Sequence, residues 1–231
     1  MGEAAAPRTM ASSGIRGCRF LEYSRMDYVR ARDLQLEILR RKAAGEIEED
    51  VLILLEHPPV FTLGRSGEAN NLLLPREKLT RLGISLQKIE RGGDITYHGP
   101  GQIVAYPLLD LKAARLGVRD FVHGLEEVMI RTAADFEVAA CRHGKERGVW
   151  VGPRKLGSLG IAVSRGISYH GLAFNVNVSL EPFSWINPCG MTQVEMTSLC
   201  RETGRDLSIS PVRSRMKGHF REIFRLGQRR V

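Results

Sequence analysis

The sequence predicts a single α/β or α+β domain, with strands and helices mixed along the chain. Three observations carry this. Apolar residues recur at the helical period in some segments, most clearly 118–136, and at a period of two in others, around 172–178. The chain has 231 residues, 43% of them hydrophobic, which is enough for one ordinary core. No internal repeat, low-complexity linker or abrupt change of composition divides it.

The elements follow in order. Residues 1–15 are small, polar and weakly basic, and have no apolar signal-peptide core, so a loose tail is expected before a single domain at 16–231. Residues 16–23 read as a strand. Residues 24–46 read as a surface helix, with Ser24 and Asp27 as a capping pair and Ala31, Leu34 and Ile38 on one face. The apolar run 51–55 (VLILL) reads as a buried strand stopped by His57-Pro58-Pro59. The glycine-rich stretch 91–102 reads as a structured loop leading into a strand at 102–108. In 118–136, Val118, Phe121, Val122, Leu125, Val128, Met129, Thr132 and Phe136 keep the helical spacing. Ser164-Arg165-Gly166 marks a hairpin turn within 159–179. Beyond it, Leu172, Phe174, Val176 and Val178 alternate with Ala173, Asn175 and Asn177, as in a half-buried strand. Residues 191–203 read as a helix. Ser210-Pro211 opens a last helix with Val212, Met216, Phe220 and Ile223 on one face.

Composition narrows the function. The formal net charge is +8, which is either a solvated basic surface or an attraction to an acidic partner. Low aromatic content (6%) and the lack of a known binding module argue against nucleic acid. No apolar run approaches the roughly 18 residues that cross a bilayer. The cysteines Cys18, Cys141, Cys189 and Cys200 form no C-x-x-C pair and no disulfide framework, so a reducing cytoplasm is expected. No zinc-type cluster, H-E-x-x-H motif or calcium loop is present, so neither a metal nor a cofactor is expected.

Cys189 stands apart from the other thiols. It sits in Asn187-Pro188-Cys189-Gly190, a turn sequence whose glycine leaves the backbone beside the thiol open to close approach. Cys18 and Cys141 fall in expected strands and Cys200 on the inner face of an expected helix, where a thiol is a small hydrophobe. A reactive thiol must be a thiolate. Lowering its pKa by two units needs about 2.7 kcal/mol of differential stabilisation. An ammonium at about 4 Å, at an effective dielectric near 20, offers roughly 4 kcal/mol before desolvation. Lys155, in GPRKLGSLG at 152–160, is a candidate cation, although a lysine beside Arg154 is most often a solvated turn residue; spacing alone does not decide. His98 and His170 are candidate general bases or structural groups. The 91–102 loop has neither phosphate-loop nor dinucleotide spacing.

Five segments together resemble the lipoyl(octanoyl) transferase family: EHPPVFTLGR at 56–65, RGGDITYHGPGQ at 91–102, GPRKLGSLGI at 152–161, HGLAFNVN at 170–177 and FSWINPCGM at 183–191. The resemblance covers about 51–192, and five motifs in register are far more specific than any one. It implies a mixed sheet flanked by helices, as in the catalytic domains of lipoate and biotin protein ligases. It implies a cysteine–lysine dyad falling on Cys189 and Lys155. It also implies a substrate pocket formed by Arg91, Gly92, Gly93, Asp94, Ile95, Thr96, Tyr97 and His98, by Ser158, Leu159 and Gly160, and by Gly171, Leu172 and Ala173. The implied donor is octanoyl-acyl carrier protein. The implied acceptors are lipoyl domains of 2-oxoacid dehydrogenase complexes and the glycine cleavage H protein. A cytoplasmic monomer using neither nucleic acid nor membrane is expected. The alternatives are an ATP-dependent lipoate or biotin ligase of the same fold, which needs no thiol at 189, and a Cys–His thioester hydrolase. The stretch after 205 lies outside the match. Between 211 and 231, Arg213, Arg215, Lys217, Arg221, Arg225, Arg229 and Arg230 face the single acid Glu222, which suggests a docking segment for an acidic partner.

Overall fold

The computed structural model describes residues 15–68, 71–144, 146–187 and 194–228. The expected tail therefore lies outside the described residues except for Ile15, as do Cys189, Arg229 and Arg230.

Among the described residues, eight strands form one mixed sheet. These are β1 (Arg16–Glu22), β2 (Asp50–Leu55), β6 (Gln102–Leu108), β7 (Cys141–His143), β8 (Glu146–Val151), β9 (Arg154–Ser164), β10 (Ile167–Asn175) and β11 (Leu226–Gln228). Their order is β11-β1-β2-β6-β10-β9-β8-β7. β1 runs parallel to β2 and β11, and every other neighbouring pair is antiparallel. A second sheet has the order β4-β3-β5, from β3 (Val60–Leu63), β4 (Ser85–Lys88) and β5 (Ile95–His98), with the short helix α2 (Arg76–Arg81) between β3 and β4.

Helices cover both faces of the large sheet, which is why its central strands read as unbroken apolar runs. On one face α3 (Val118–Ala134) and α5 (Ile209–Ile223) press Phe121, Leu125, Met129, Val212, Met216 and Phe220 against Leu52, Leu54, Ile103, Leu172 and Phe174. On the other, α1 (Tyr28–Ala43) presses Ala31 and Ile38 against Val51, Ile53, Leu55, Val104 and Tyr106. Adjacent residues of β2 thus serve opposite cores, as the two-residue period of a strand requires. Burying one such side chain contributes roughly 1.5–3 kcal/mol.

The structure amends several expectations. Asp27 is itself the N-cap of α1, accepting from the Val29 and Arg30 N–H groups, so Ser24 plays no part in the cap. The Pro58-Pro59 stop is only a corner, because β3 follows at once. The 91–102 stretch contains a strand, β5, that pairs with β3. β10 is buried on both faces rather than one. Cys141 is exposed rather than buried. Of the helix expected at 191–203, the described residues 194–203 are helical only as α4 (Leu199–Thr203). Residues 194–198 are not helical, and Met196 bridges Lys155 in parallel.

Candidate active site

A cavity of about 490 Å³ is lined from both sheets, within the usual size of a small-molecule site. Arg91 to Thr96 and His98 form one wall, Lys155 and Ser158 to Ile161 of β9 a second, and His170 to Ala173 of β10 a third. The β9 and β10 walls are adjacent by register: Gly171 pairs Gly160, Leu172 pairs Leu159 and Ala173 pairs Ser158.

The 91–98 wall is held by hydrogen bonds to β3, β6 and β9. The Arg91 guanidinium donates to the Thr62 carbonyl (2.7 Å) and to its Oγ1 (2.9 Å). The Gly92 N–H donates to the Ile161 carbonyl (2.9 Å), which joins the small sheet to β9. Gly64 crosses under this loop, where a Cβ would collide with the Gly93 carbonyl oxygen. His98 Nδ1 faces the Gln102 side-chain Oε1 at 2.7 Å, and that amide oxygen can only accept, so Nδ1 carries the proton. His98 Nε2 is then an acceptor for the Thr62 hydroxyl (3.4 Å). Burial, with His57 and Arg91 nearby, pushes the His98 pKa down to about 3. Both ring nitrogens are engaged and the ring stays neutral, so His98 is a structural group and not a free base.

Two more imidazoles are neutral: His170 in the lining, and His57 outside it, packed against the His98 and Tyr106 rings. His57 Nδ1 donates to the Met26 carbonyl (2.7 Å), leaving Nε2 to accept from the Tyr106 hydroxyl (2.7 Å). Burial pushes its pKa down to about 4. His170 sits in the left-handed region (φ 56°), and its N–H donates to the Gln35 side chain (2.8 Å). The Glu90 carboxylate lies 3.7 Å from its ring, but burial outweighs that charge and holds the pKa down at about 4. His170 pairs Ile161 across the strands, six residues along β9 from Lys155. At about 3.3 Å per residue that is ~20 Å. His170 therefore belongs to the opposite end of the cavity from the lysine.

Lys155 is 5% exposed. Its Nζ stands 5.2 Å from the ring centroid of Trp150. Its backbone N–H donates to the Glu195 carbonyl (2.8 Å), and its carbonyl accepts from the Thr197 N–H (2.9 Å). Thr197 is fixed in turn, because the Asn175 amide donates to its carbonyl (2.9 Å) and its hydroxyl donates to Glu202 (2.5 Å). Glu202 also takes a two-pronged pair from Arg154 at 2.8 Å. On the other side of the undescribed residues 188–193, the Asn187 N–H donates to the Asn71 carbonyl (2.8 Å).

Residues 27–221 match the lipoyl protein ligase A/B catalytic domain model. The chain belongs to that family. It is 47% identical over 199 residues to an octanoyltransferase of Desulfotalea psychrophila, covering 85% of this chain and 89% of that one. It is 45% identical over 210 residues to an octanoyltransferase of Syntrophobacter fumaroxidans, covering 91% and 92%. Among solved structures, lipoate-protein ligase A with bound ATP superposes with TM-score 0.71 at 15% identity, covering 93% of this chain and 88% of that one. A biotin protein ligase of Aquifex aeolicus superposes with TM-score 0.52 at 14% identity, over 90% and 70%. The mixed sheet flanked by helices is thus the ligase catalytic fold.

On this family scaffold, one of the expected pocket residues is turned away. Tyr97 alternates with Thr96 and His98 along β5 and is not a lining residue; its ring packs on Phe61 (5.3 Å between centroids) and on Phe183 (5.5 Å), which does line the cavity. The other expected pocket residues and Lys155 line the cavity, while Cys189 lies outside the described residues. Sequence reading missed Tyr28, Tyr106 and Met196 as lining residues. They arrive from α1, β6 and the 194–198 segment, and no local motif announces them. Among the described residues no cluster of three or more His, Cys, Asp or Glu is arranged to hold a metal ion, and no helix is long and apolar enough to cross a membrane.

Proposed function

We propose that this protein is an octanoyltransferase of protein lipoylation. It moves an octanoyl group from octanoyl-acyl carrier protein to the ε-amine of a lysine on a lipoyl domain, through a thioester on Cys189. The observation that carries the reading is the position of Lys155. The lysine lines the cavity, and its backbone is bonded to Glu195 and Thr197, six and eight residues downstream of Cys189. Relatives 45–47% identical bear the name octanoyltransferase.

The chemistry is two acyl exchanges. The Cys189 thiolate, stabilised by the Lys155 ammonium, attacks the donor carbonyl, and the C–S bond to the pantetheine breaks; the departing sulfur takes a proton from Lys155 and leaves as the thiol, so the lysine becomes neutral. The acceptor amine then attacks the Cys189 thioester, loses a proton, and expels the cysteine thiolate. Lys155, once neutral, takes that proton. The first exchange is nearly balanced and the second, thioester to amide, is downhill, so no ATP is consumed. Ile95 and Leu172 supply apolar wall. Burial contributes about 0.8 kcal/mol per methylene, so cavity depth can select chain length. The acceptors on this reading are lipoyl domains of 2-oxoacid dehydrogenase complexes and the glycine cleavage H protein, and the enzyme is a cytoplasmic monomer that uses no cofactor.

The test is intact mass after incubation with octanoyl-acyl carrier protein. The parent should carry one octanoyl adduct, mapped to Cys189 and removed by hydroxylamine. Cys189→Ser should carry none, and Lys155→Ala should form it at least tenfold more slowly. Free octanoate with ATP should yield no product. Turnover by Cys189→Ser, or transfer from octanoate and ATP, would overturn the proposal.

A further inference from the structure

We infer that Trp150 is a positioning residue for Lys155, its indole face holding the lysine ammonium at one place on the cavity wall. The catalytic consequence rests on the Cys189–Lys155 reading above; the placement does not.

The two residues are direct cross-strand partners in the β8–β9 ladder, so their side chains leave the sheet on the same face. The ammonium stands 5.2 Å from the ring centroid, inside the ~6 Å reach of a cation–π contact. Trp150 is 3% exposed and Lys155 5%, so the contact is largely desolvated, where such attraction is strongest.

The lysine stem is guided as well. The ladder slips register between Val149 and Trp150, a bulge of the kind that re-aims a side chain. Just before it, Gly148 has φ 114°, and a Cβ built there would lie 3.1 Å from Lys155 Cε. The Gly148 N–H is held by the buried Glu126 carboxylate (3.2 Å), itself paired with Arg142 (3.2 Å). Head, stem and backbone of Lys155 are thus each constrained, whereas a lysine otherwise spreads over many rotamers.

A filler role does not account for the indole. Its Nε1 is buried without a hydrogen-bond partner among the described residues, an unfavourable burial that phenylalanine would avoid. What indole offers over phenyl is the stronger π face. That face favours the ammonium over the neutral amine, the resting form a neighbouring thiolate requires.

The test keeps the shape and changes the ring charge. Trp150 is replaced site-specifically in the full chain by tryptophans bearing one to four fluorines. Titration of Lys155 is followed by NMR of ζ-15N-lysine, its signal being the one that Lys155→Arg removes. The midpoint should fall stepwise, by about half to one pH unit across the series. Trp150→Phe should fall within that range. A midpoint that stays constant across the fluorinated series overturns the inference, whatever happens to thermal stability. Alkylation of Cys189 in the same proteins, read by peptide mass, tests the underlying reading separately. Its pH midpoint should rise as that of Lys155 falls, and in Lys155→Ala it should reach the ordinary thiol value of about 8.5. If Lys155→Ala leaves it in place, the thiol–ammonium pairing fails while the placement of the ammonium stands.

Discussion

His57, His98 and His170 are each buried as neutral imidazoles, with pKa values pushed down to about 4, about 3 and about 4. In the unfolded chain each titrates near 6.5. Above that value both states are neutral and the three contribute no pH dependence. As pH falls through 6.5 the unfolded chain takes up protons that the folded one refuses, so stability is lost down to about pH 4. Each group adds at most about 1.4 kcal/mol per pH unit, so the unfolding midpoint should drop steeply between pH 6.5 and 4. Thermal unfolding across that range checks this; a flat profile would mean that the imidazoles protonate inside the fold. None of this burial was legible in the sequence. His98 and His170 stood out there only as two histidines beside glycines, more often structural groups than bases. The His98 ring is set by the acceptor its Nδ1 meets on Gln102, whereas His170 is buried with neither ring nitrogen hydrogen-bonded among the described residues.

The segment 194–198 teaches the same lesson for an element. Its sequence, with Met196, Leu199 and Cys200 at helical spacing, read as helix. In the fold the Lys155 backbone offers a strand partner and Asn175 a side-chain donor, and local propensity yields to these tertiary hydrogen bonds. Asn175 is 1% exposed and also accepts from Gln102 (2.9 Å). Asn175→Ala strands both the Gln102 amide and the Thr197 carbonyl, at about 1–3 kcal/mol each. Thermal unfolding should fall by about 3–15 °C. Turnover should fall as well, because the segment that Asn175 holds is bonded to Lys155. Full activity in a folded Asn175→Ala protein would mean that the lysine does not depend on this brace. By contrast, β2, β6, α3 and α5 were legible, because their apolar periods leave one arrangement that buries them.

For the molecule as a whole, the charge is distributed differently from the sequence impression. Within the basic C-terminal stretch, Arg213 pairs with Glu56 and Lys217 with Glu22, so these cations fasten α5 to the sheet edge. Arg215 and Arg221 are exposed, with no ion pair among the described residues. If the excess of +8 steers an acidic carrier, the double reversal Arg215→Glu/Arg221→Glu should lower kcat/KM for octanoyl-acyl carrier protein several-fold at low salt. At an ionic strength of about 0.5 M, where screening is within a few ångströms, the loss should be small. Equal loss at both salts would remove the docking role. Reversing Arg213 instead should destabilise the fold, since it leaves Glu56 beside a second carboxylate.

The sequence alone determined the layered mixture of strands and helices, the family through five motifs in register, and the residue types of most of the cavity wall. These properties are local or periodic, and a linear string carries them in full. The tertiary structure decided that Tyr97 turns away from the cavity, that Tyr28, Tyr106 and Met196 enter it, and that Trp150 lies under Lys155. Those outcomes depend on register between strands far apart in the chain. A one-residue slip would send each side chain to the opposite face, and only the packed sheet selects among the registers.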